Sequence, residues 1–129
     1  MKPNFFSMEL APRPEIARDF GVSGRVILRA IGIAEQMYAS ELAAAKLEIY
    51  GPDSDTCFPA IGGRAVPISR SLAQSAATLV MMQTDNGQPG WQPWEWEDFV
   101  AMSVAAEDEF DQITNDARNL LSKKKALAG

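Results

Sequence analysis

Eight of the 17 prolines and glycines of this chain fall in three clusters. They gather at Gly51-Pro52, at Gly62-Gly63 and between Asp85 and Pro93, and those clusters limit what can form between them. Proline removes a backbone donor and clashes inside a helix, and glycine weakens one, so regular elements stop where they cluster. The segments left between are of helix length or shorter. A chain of 129 residues, 47% of them apolar, suits one domain around one core. The expected fold class is α+β, mainly helical, with a small N-terminal strand or hairpin element packed on three or four helices.

Residues 1–14 carry Pro3, Pro12 and Pro14 and read as an extended arm, with Phe5 to Leu10 as a candidate edge strand. Such an arm packs on its own domain or on a neighbour. The run from Val26 to Ile33 is short and β-branched and follows Gly24, which suits a strand over 25–31. Val26, Ala30, Ile33 and Met37 also keep helical spacing, so periodicity alone leaves strand and helix both open there. Residues 34–49 are rich in Ala, Leu, Glu and Lys and predict a helix whose apolar stripe is Tyr38, Leu42, Ala45 and Ile49. Residues 51–67 form a long loop, with room for a hairpin around Gly62-Gly63 between Phe58–Ile61 and Ala65–Ile68. A loop of that length in a compact domain is often a binding element.

Ser71 with Gln74 three residues on has the form of a capping box, ahead of Leu72, Ala76, Leu79 and Met82 in a helix over about 70–83. Residues 84–93 are a linker. Pro93 suits the first position of the following helix, and 94–123 reads as a C-terminal helical pair broken near Ser103 to Ala106. Phe110, Ile113, Ala117, Leu120 and Leu121 mark the apolar face of its second member, over about 106–123.

Charge is sorted along the chain. Residues 1–90 hold nine acids and eight bases, 91–117 hold eight acids and no base, and Arg118 with Lys123-Lys124-Lys125 follow. At a net charge of -5 and a pI of about 4.7, a nucleic-acid partner is not expected, because phosphate binding needs a positive surface. No apolar run approaches the roughly 18 residues that span a bilayer, so a membrane partner is not expected either. Residues 1–6 lack the regions of a signal peptide, and Cys57, the one cysteine, has no partner for a disulfide. These features favour a cytoplasmic protein.

Catalytic signatures are sparse. No histidine is present, which removes Ser-His-Asp and Cys-His catalysis and most zinc sites. Neither a GxxxxGK[ST] nor a GxGxxG loop occurs, so no cofactor is expected. Asp53-Ser54-Asp55 starts like a calcium loop but lacks the later Gly and Glu, and reads as a solvated loop; no metal is expected. Cys57 reads as an idle or buried thiol, and the carboxylates of 95–111 as a solvated, dipole-matched face. The chain is therefore expected not to be an enzyme.

What stands out instead is aromatic. Trp91, Trp94 and Trp96, all three tryptophans of the chain, lie within six residues beside prolines. Tryptophan offers a large apolar area at small entropic cost and is enriched at binding hot spots. The plainer alternative is that they cover the core where a loop enters a helix. The candidate partner-binding residues are Trp91, Trp94, Trp96, Phe99, Met102 and Met82.

The stretch Trp94-Glu95-Trp96-Glu97-Asp98-Phe99-Val100-Ala101-Met102-Ser103, with the acidic helix after it, resembles the end of small phage tail-assembly chaperones. There a short helix of the form aromatic-x-x-E-[DE]-[FL]-x-x-[LM] precedes an acidic helix. Arg25-Val26-Ile27-Leu28-Arg29 is similar to the V-x-L-R strand that opens them, with Ala34-Glu35-Gln36 starting a helix as in that pattern. The proline-rich continuation is absent here, and the arm and loop 51–67 have no counterpart; about half of the chain is covered. The resemblance implies a factor, made in the infected bacterial cell, that keeps the tail tape-measure protein soluble before tail tubes assemble. Two other readings suit the same residues. One is a structural head–tail joining or neck component, forming a homo-oligomer through the arm and the long loop. The other is an acidic inhibitor of a host enzyme, drawn from the acid block at 91–117.

Overall fold

The computed structural model describes residues 14–20, 24–51 and 55–128, of which 123–128 are described as backbone only. The candidate edge strand Phe5–Leu10 and most of the arm lie outside the described residues. The fold is α+β and mainly helical, with a small N-terminal hairpin of strands, as the sequence predicts.

Strand β1 (Glu15–Phe20) pairs antiparallel with β2 (Gly24–Arg29), from Glu15 opposite Arg29 to Phe20 opposite Gly24. The pairing continues one step further, where the Ala30 N–H donates to Pro14 O at 2.9 Å. Side chains alternate across a strand, so Ile16, Arg18 and Phe20 share the inner side of β1, and Val26 and Leu28 are buried on β2. Of the two readings of the Val26–Ile33 run, the strand is the one that forms, and it ends two residues earlier than expected.

Helix α1 (Ile33–Tyr50) follows. Glu35 accepts from the Gly32 N–H at 3.1 Å and closes its first turn, and Gly51 ends it with a backbone bond to Leu47. The expected inner stripe holds at Leu42, which packs against the core, and fails at its other positions. Ala39, Ala43 and Leu47 are buried, whereas Tyr38 is 57% and Ile49 65% exposed. The physical reason is close packing. Helix α2 (Arg70–Met82) presents Ala73, Ala76 and Ala77 as buried positions, and small residues on both helices let their backbones approach.

The long loop is not featureless. Strand β3 (Thr56–Cys57) pairs with β6 (Ile68–Ser69), and β4 (Ala60–Ile61) forms a hairpin with β5 (Arg64–Ala65). The turn residues Gly62 and Gly63 have φ of 60° and 80°, the positive pair that a two-residue type I′ turn requires. The cap of α2 is also shifted. Ser69, not Ser71, accepts from the Leu72 N–H at 3.1 Å, and Gln74 turns to Thr78.

Helix α3 (Trp96–Ala105) begins three residues after Pro93, not at it, so Pro93 belongs to the linker. The Glu95 N–H donates to Asp98 Oδ2 at 2.8 Å, and Glu97 and Asp98 lie in the first turn, where the helix dipole favours negative charge. The break falls at Ala106, and α4 (Glu107–Ala128) completes the helical pair. Phe110, Ile113, Ala117 and Leu120 are buried along it, with Leu121 at the core's edge. The core lies where α2 meets α1, α3 and the inner face of the hairpin, centred on Trp96, Phe99, Leu28, Leu79 and Met82.

Candidate protein-binding groove

The linker between α2 and α3 is held at both ends and shaped in between. At its start, Gln83 bridges to Leu28 and the Thr84 N–H donates to Ile27 O at 2.9 Å, so the chain leaves α2 as a short extra strand beside β2. Asp85 and Asn86 accept from the N–H groups of Gly87 and Gln88, each at 2.8 Å, and fold the tip. At the far end the Gln83 side chain grips the Trp94 peptide. Its Nε2 donates to Trp94 O, and its Oε1 accepts from the Trp94 N–H at 2.7 Å.

This bracing creates an open groove of about 840 Å³. One wall is the linker from Gln88 to Glu95, including Trp91 and Trp94. The other is formed by Gly24 and Arg25 at the start of β2 and by Asp98, Ala101, Met102 and Ala105 on α3. Trp94 is half-buried and stacks on Phe99, with ring centroids 5.1 Å apart and planes 28° apart. Gly24 has a φ of 101° and lies against the Trp94 ring; a Cβ there would reach it at 3.9 Å. Trp91 is half-buried, close to the turn set by Gln88. Arg25 and the carboxylates of Glu95 and Asp98 give the rim both signs of charge.

The six residues proposed from sequence therefore divide. Trp91 and Trp94 line the groove. Met102 reaches it from a position that is only 4% exposed. Trp96, Phe99 and Met82 are 1% exposed or less and belong to the core, which corrects their assignment to a partner surface. The reason is register: Trp96 and Phe99 open a helix at i and i+3, so both turn inward, and Met82 closes the inner face of α2. Phe99 still serves the groove from beneath, as the ring on which Trp94 rests.

Trp96 is tied down on every side. Its Nε1–H donates to Ala73 O at 3.0 Å, and its ring stacks on Tyr50 with centroids 5.9 Å apart and planes 8° apart. Lys46 Nζ lies 5.4 Å from the Trp96 ring centroid and 2.6 Å from Glu97 Oε2, and the Tyr50 hydroxyl donates to the same oxygen at 3.1 Å. Burial pushes the Glu97 carboxyl up, but the hydrogen bonds from Lys46 and Tyr50 and the Lys46 charge outweigh it and hold it below its ordinary value. The same hydrogen bond, given by the phenol to Glu97, raises Tyr50. This cluster fastens α1 to α3, and none of its residues lines the groove.

Cys57 is fully buried, its Sγ–H directed at Ile68 O at 3.7 Å, and burial pushes the thiol up, which leaves it protonated and unreactive. Asp55 pairs with Arg70 at 3.1 Å. Among the described residues no group of three or more His, Cys, Asp or Glu side chains is placed to hold a metal ion, and no helix is long and apolar enough to cross a membrane.

Sequence reasoning missed Gln83, Gly24 and Arg25. Gln83 grips a peptide 11 residues away, and no local pattern announces such a bond. Asp98 was visible as an acid three residues after Glu95, the spacing that returns a side chain to the cap. Comparison with protein-family models, with characterised proteins and with solved structures finds no match.

Proposed function

We propose that this chain is a non-enzymatic factor that binds another protein through the groove walled by Trp91 and Trp94. The observation that carries the reading is the pair of half-buried indoles on an open groove whose backbone is braced by Gln83. Pre-set aromatic anchors with a polar rim are the anatomy of a protein-binding surface, because little side-chain entropy is lost on docking. Met102 adds a polarizable contact at the groove floor.

Within that reading, the client is an aggregation-prone phage tail tape-measure protein, bound in the infected bacterial cell in the manner of a tail-assembly chaperone. Support comes from the sequence resemblance over 94–103. The succession of a ten-residue helix and an acidic helix is compatible with it. A client helix laid in the groove would place apolar side chains on the indoles and basic ones towards Glu95 and Asp98.

The test is co-expression with a tape-measure protein from the same genome. Increased solubility of that protein and co-purification are expected, and Trp91→Ala removes both while lowering the melting temperature by no more than about 5 °C. Neither effect in the unaltered chain would sink the chaperone reading. The inhibitor reading loses ground on one observation: of the acids that suggested it, Glu97 is committed to Lys46 and Tyr50, and Asp98 caps α3.

A further inference from the structure

The tip of the linker between α2 and α3 is the one place in the chain where an asparagine precedes a glycine, at Asn86-Gly87. The backbone nitrogen of the residue after an asparagine can attack the asparagine side-chain amide, and a glycine there obstructs the approach least. Two hydrogen bonds set the groups for that reaction. The Gly87 N–H, whose nitrogen is the nucleophile, donates to Asp85 Oδ1 at 2.8 Å. Asn86 Oδ1, on the carbon under attack, accepts from the Gln88 N–H at 2.8 Å. The second bond folds the Asn86 side chain back over its own following peptide. Asp85 and Gly87 are exposed, and beyond its chain neighbours nothing lies within 4 Å of where a Gly87 Cβ would stand, so the approach is open to water. Asn86 itself is partly buried and lines the tryptophan groove.

We propose that Asn86 is a self-modifying site, converted through a cyclic imide to an aspartyl or isoaspartyl residue with Asp85 as the base. A carboxylate that accepts from the nucleophile's N–H is placed to take the proton as the new bond forms. The Gln88 N–H meets the negative charge that develops on Asn86 Oδ1, as a donor in an oxyanion hole does. In the first step a bond forms between the Gly87 nitrogen and Asn86 Cγ, and the proton on that nitrogen passes to Asp85. The tetrahedral carbon then expels its amino group, which takes the proton from Asp85 and leaves as ammonia. Water opens the imide ring. Cleavage at Cγ gives an aspartyl side chain, and cleavage at the backbone carbonyl gives the isoaspartyl link. Either product adds a carboxylate to a groove that already holds Arg25, Glu95 and Asp98. The isoaspartyl form also lengthens the backbone at the tip by the Cβ carbon.

Asn115 and Asn119 lack this arrangement. Both lie within α4, where Asp116 and Leu120 follow them and the helix holds the next backbone nitrogen in its own hydrogen bond. They serve as internal controls. The chemistry is independent of what the groove binds.

Intact-mass and peptide mass spectrometry of the purified full chain, followed over days near neutral pH, tests this. Release of ammonia and the mass gain of an asparagine-to-aspartyl change are expected at Asn86 and not at Asn115 or Asn119. The folded chain should react at least about tenfold faster than the same chain in urea, where Asp85 and Gln88 no longer hold the reacting groups. Asp85→Ser keeps a short side-chain acceptor for the turn but removes the basic carboxylate. It should slow the folded chain by a similar factor at an unchanged thermal midpoint and leave the rate in urea as it was. Reaction at Asn86 no faster in the folded chain than in urea would overturn the proposal. So would an Asp85→Ser chain that reacts as fast as the unaltered one.

Discussion

Arg18 on β1 and Asp116 on α4, 98 residues apart in sequence, form a two-pronged ion pair: Nε to Oδ2 at 2.6 Å and Nη2 to Oδ1 at 3.1 Å. The pair joins the N-terminal hairpin to the last helix. Its members are unequally placed. The Asp116 side chain is 11% exposed and the Arg18 side chain 37%. Removing one partner of a buried pair strands the other, so the cost depends on which group is stranded. Arg18→Met leaves a carboxylate without its cation in a poorly hydrated place. Asp116→Asn keeps a hydrogen-bond acceptor and leaves a guanidinium that can turn to water. Arg18→Met is therefore expected to lower the thermal midpoint more than Asp116→Asn. The reverse order in calorimetry would contradict the assignment of Asp116 as the buried partner.

The three tryptophans should separate in a stability series. Trp96→Ala opens a cavity in the core and removes the indole hydrogen bond to the Ala73 carbonyl, a loss of about 3–5 kcal/mol. Trp91→Ala removes a half-buried ring and should change stability by no more than about 1 kcal/mol. Trp94→Ala falls between, because it uncovers Phe99. Urea unfolding of the three variants measures all of this. Equal losses at Trp91 and Trp96 would place Trp91 in the core and leave the groove without its anchor.

Gln83→Ala tests how the groove is held. Both Trp94 backbone groups lose their partner, and the linker is released from α2. Amide exchange at Trp94 should quicken, and binding of a client should weaken while Trp91 and Trp94 remain. Gln83→Glu keeps the acceptor for the Trp94 N–H but cannot donate to its carbonyl when ionised, so it should show an intermediate effect. No change in exchange at Trp94 in either variant would mean that the linker is held by its other contacts.

Legibility in the sequence followed how far each signal reaches. Helix α4 was plain because Phe110, Ile113, Ala117, Leu120 and Leu121 make one face and the rest of it as far as Lys125 is polar. Helix α1 was found but turned the wrong way, because apolar residues surround it and periodicity offers two stripes. The choice between them lay in the alanines of α2, a tertiary fact. Strand β1 was missed because Arg18 occupies an inward position and breaks the apolar alternation; its reason for facing inward, Asp116, lies in the last helix. The groove was half legible. The indoles announced themselves, but separating Trp91 and Trp94 from Trp96 required the true start of α3, three residues later than Pro93 suggested.

The Lys46–Glu97–Tyr50 cluster predicts the shape of stability against pH at both ends. The folded carboxyl of Glu97 lies below its ordinary value of 4.5, so the folded state binds fewer protons there than the unfolded chain. Its contribution is complete above about pH 4.5 and disappears as pH falls through the lowered value. Tyr50 works in the opposite sense. Its folded value is raised above 10.0, so its contribution is present below that pH and declines as pH rises through the raised value. Glu97 is 37% exposed, so screening keeps the acid-side effect modest and makes it weaken in salt. Urea midpoints should show Glu97→Gln losing most against the unaltered chain near neutral pH, with the difference shrinking below pH 4.5. Tyr50→Phe should lose most below pH 10 and converge above it. A Glu97→Gln difference that stayed constant from pH 7 to pH 3 would show that the carboxylate's charge contributes nothing to fastening α1 to α3.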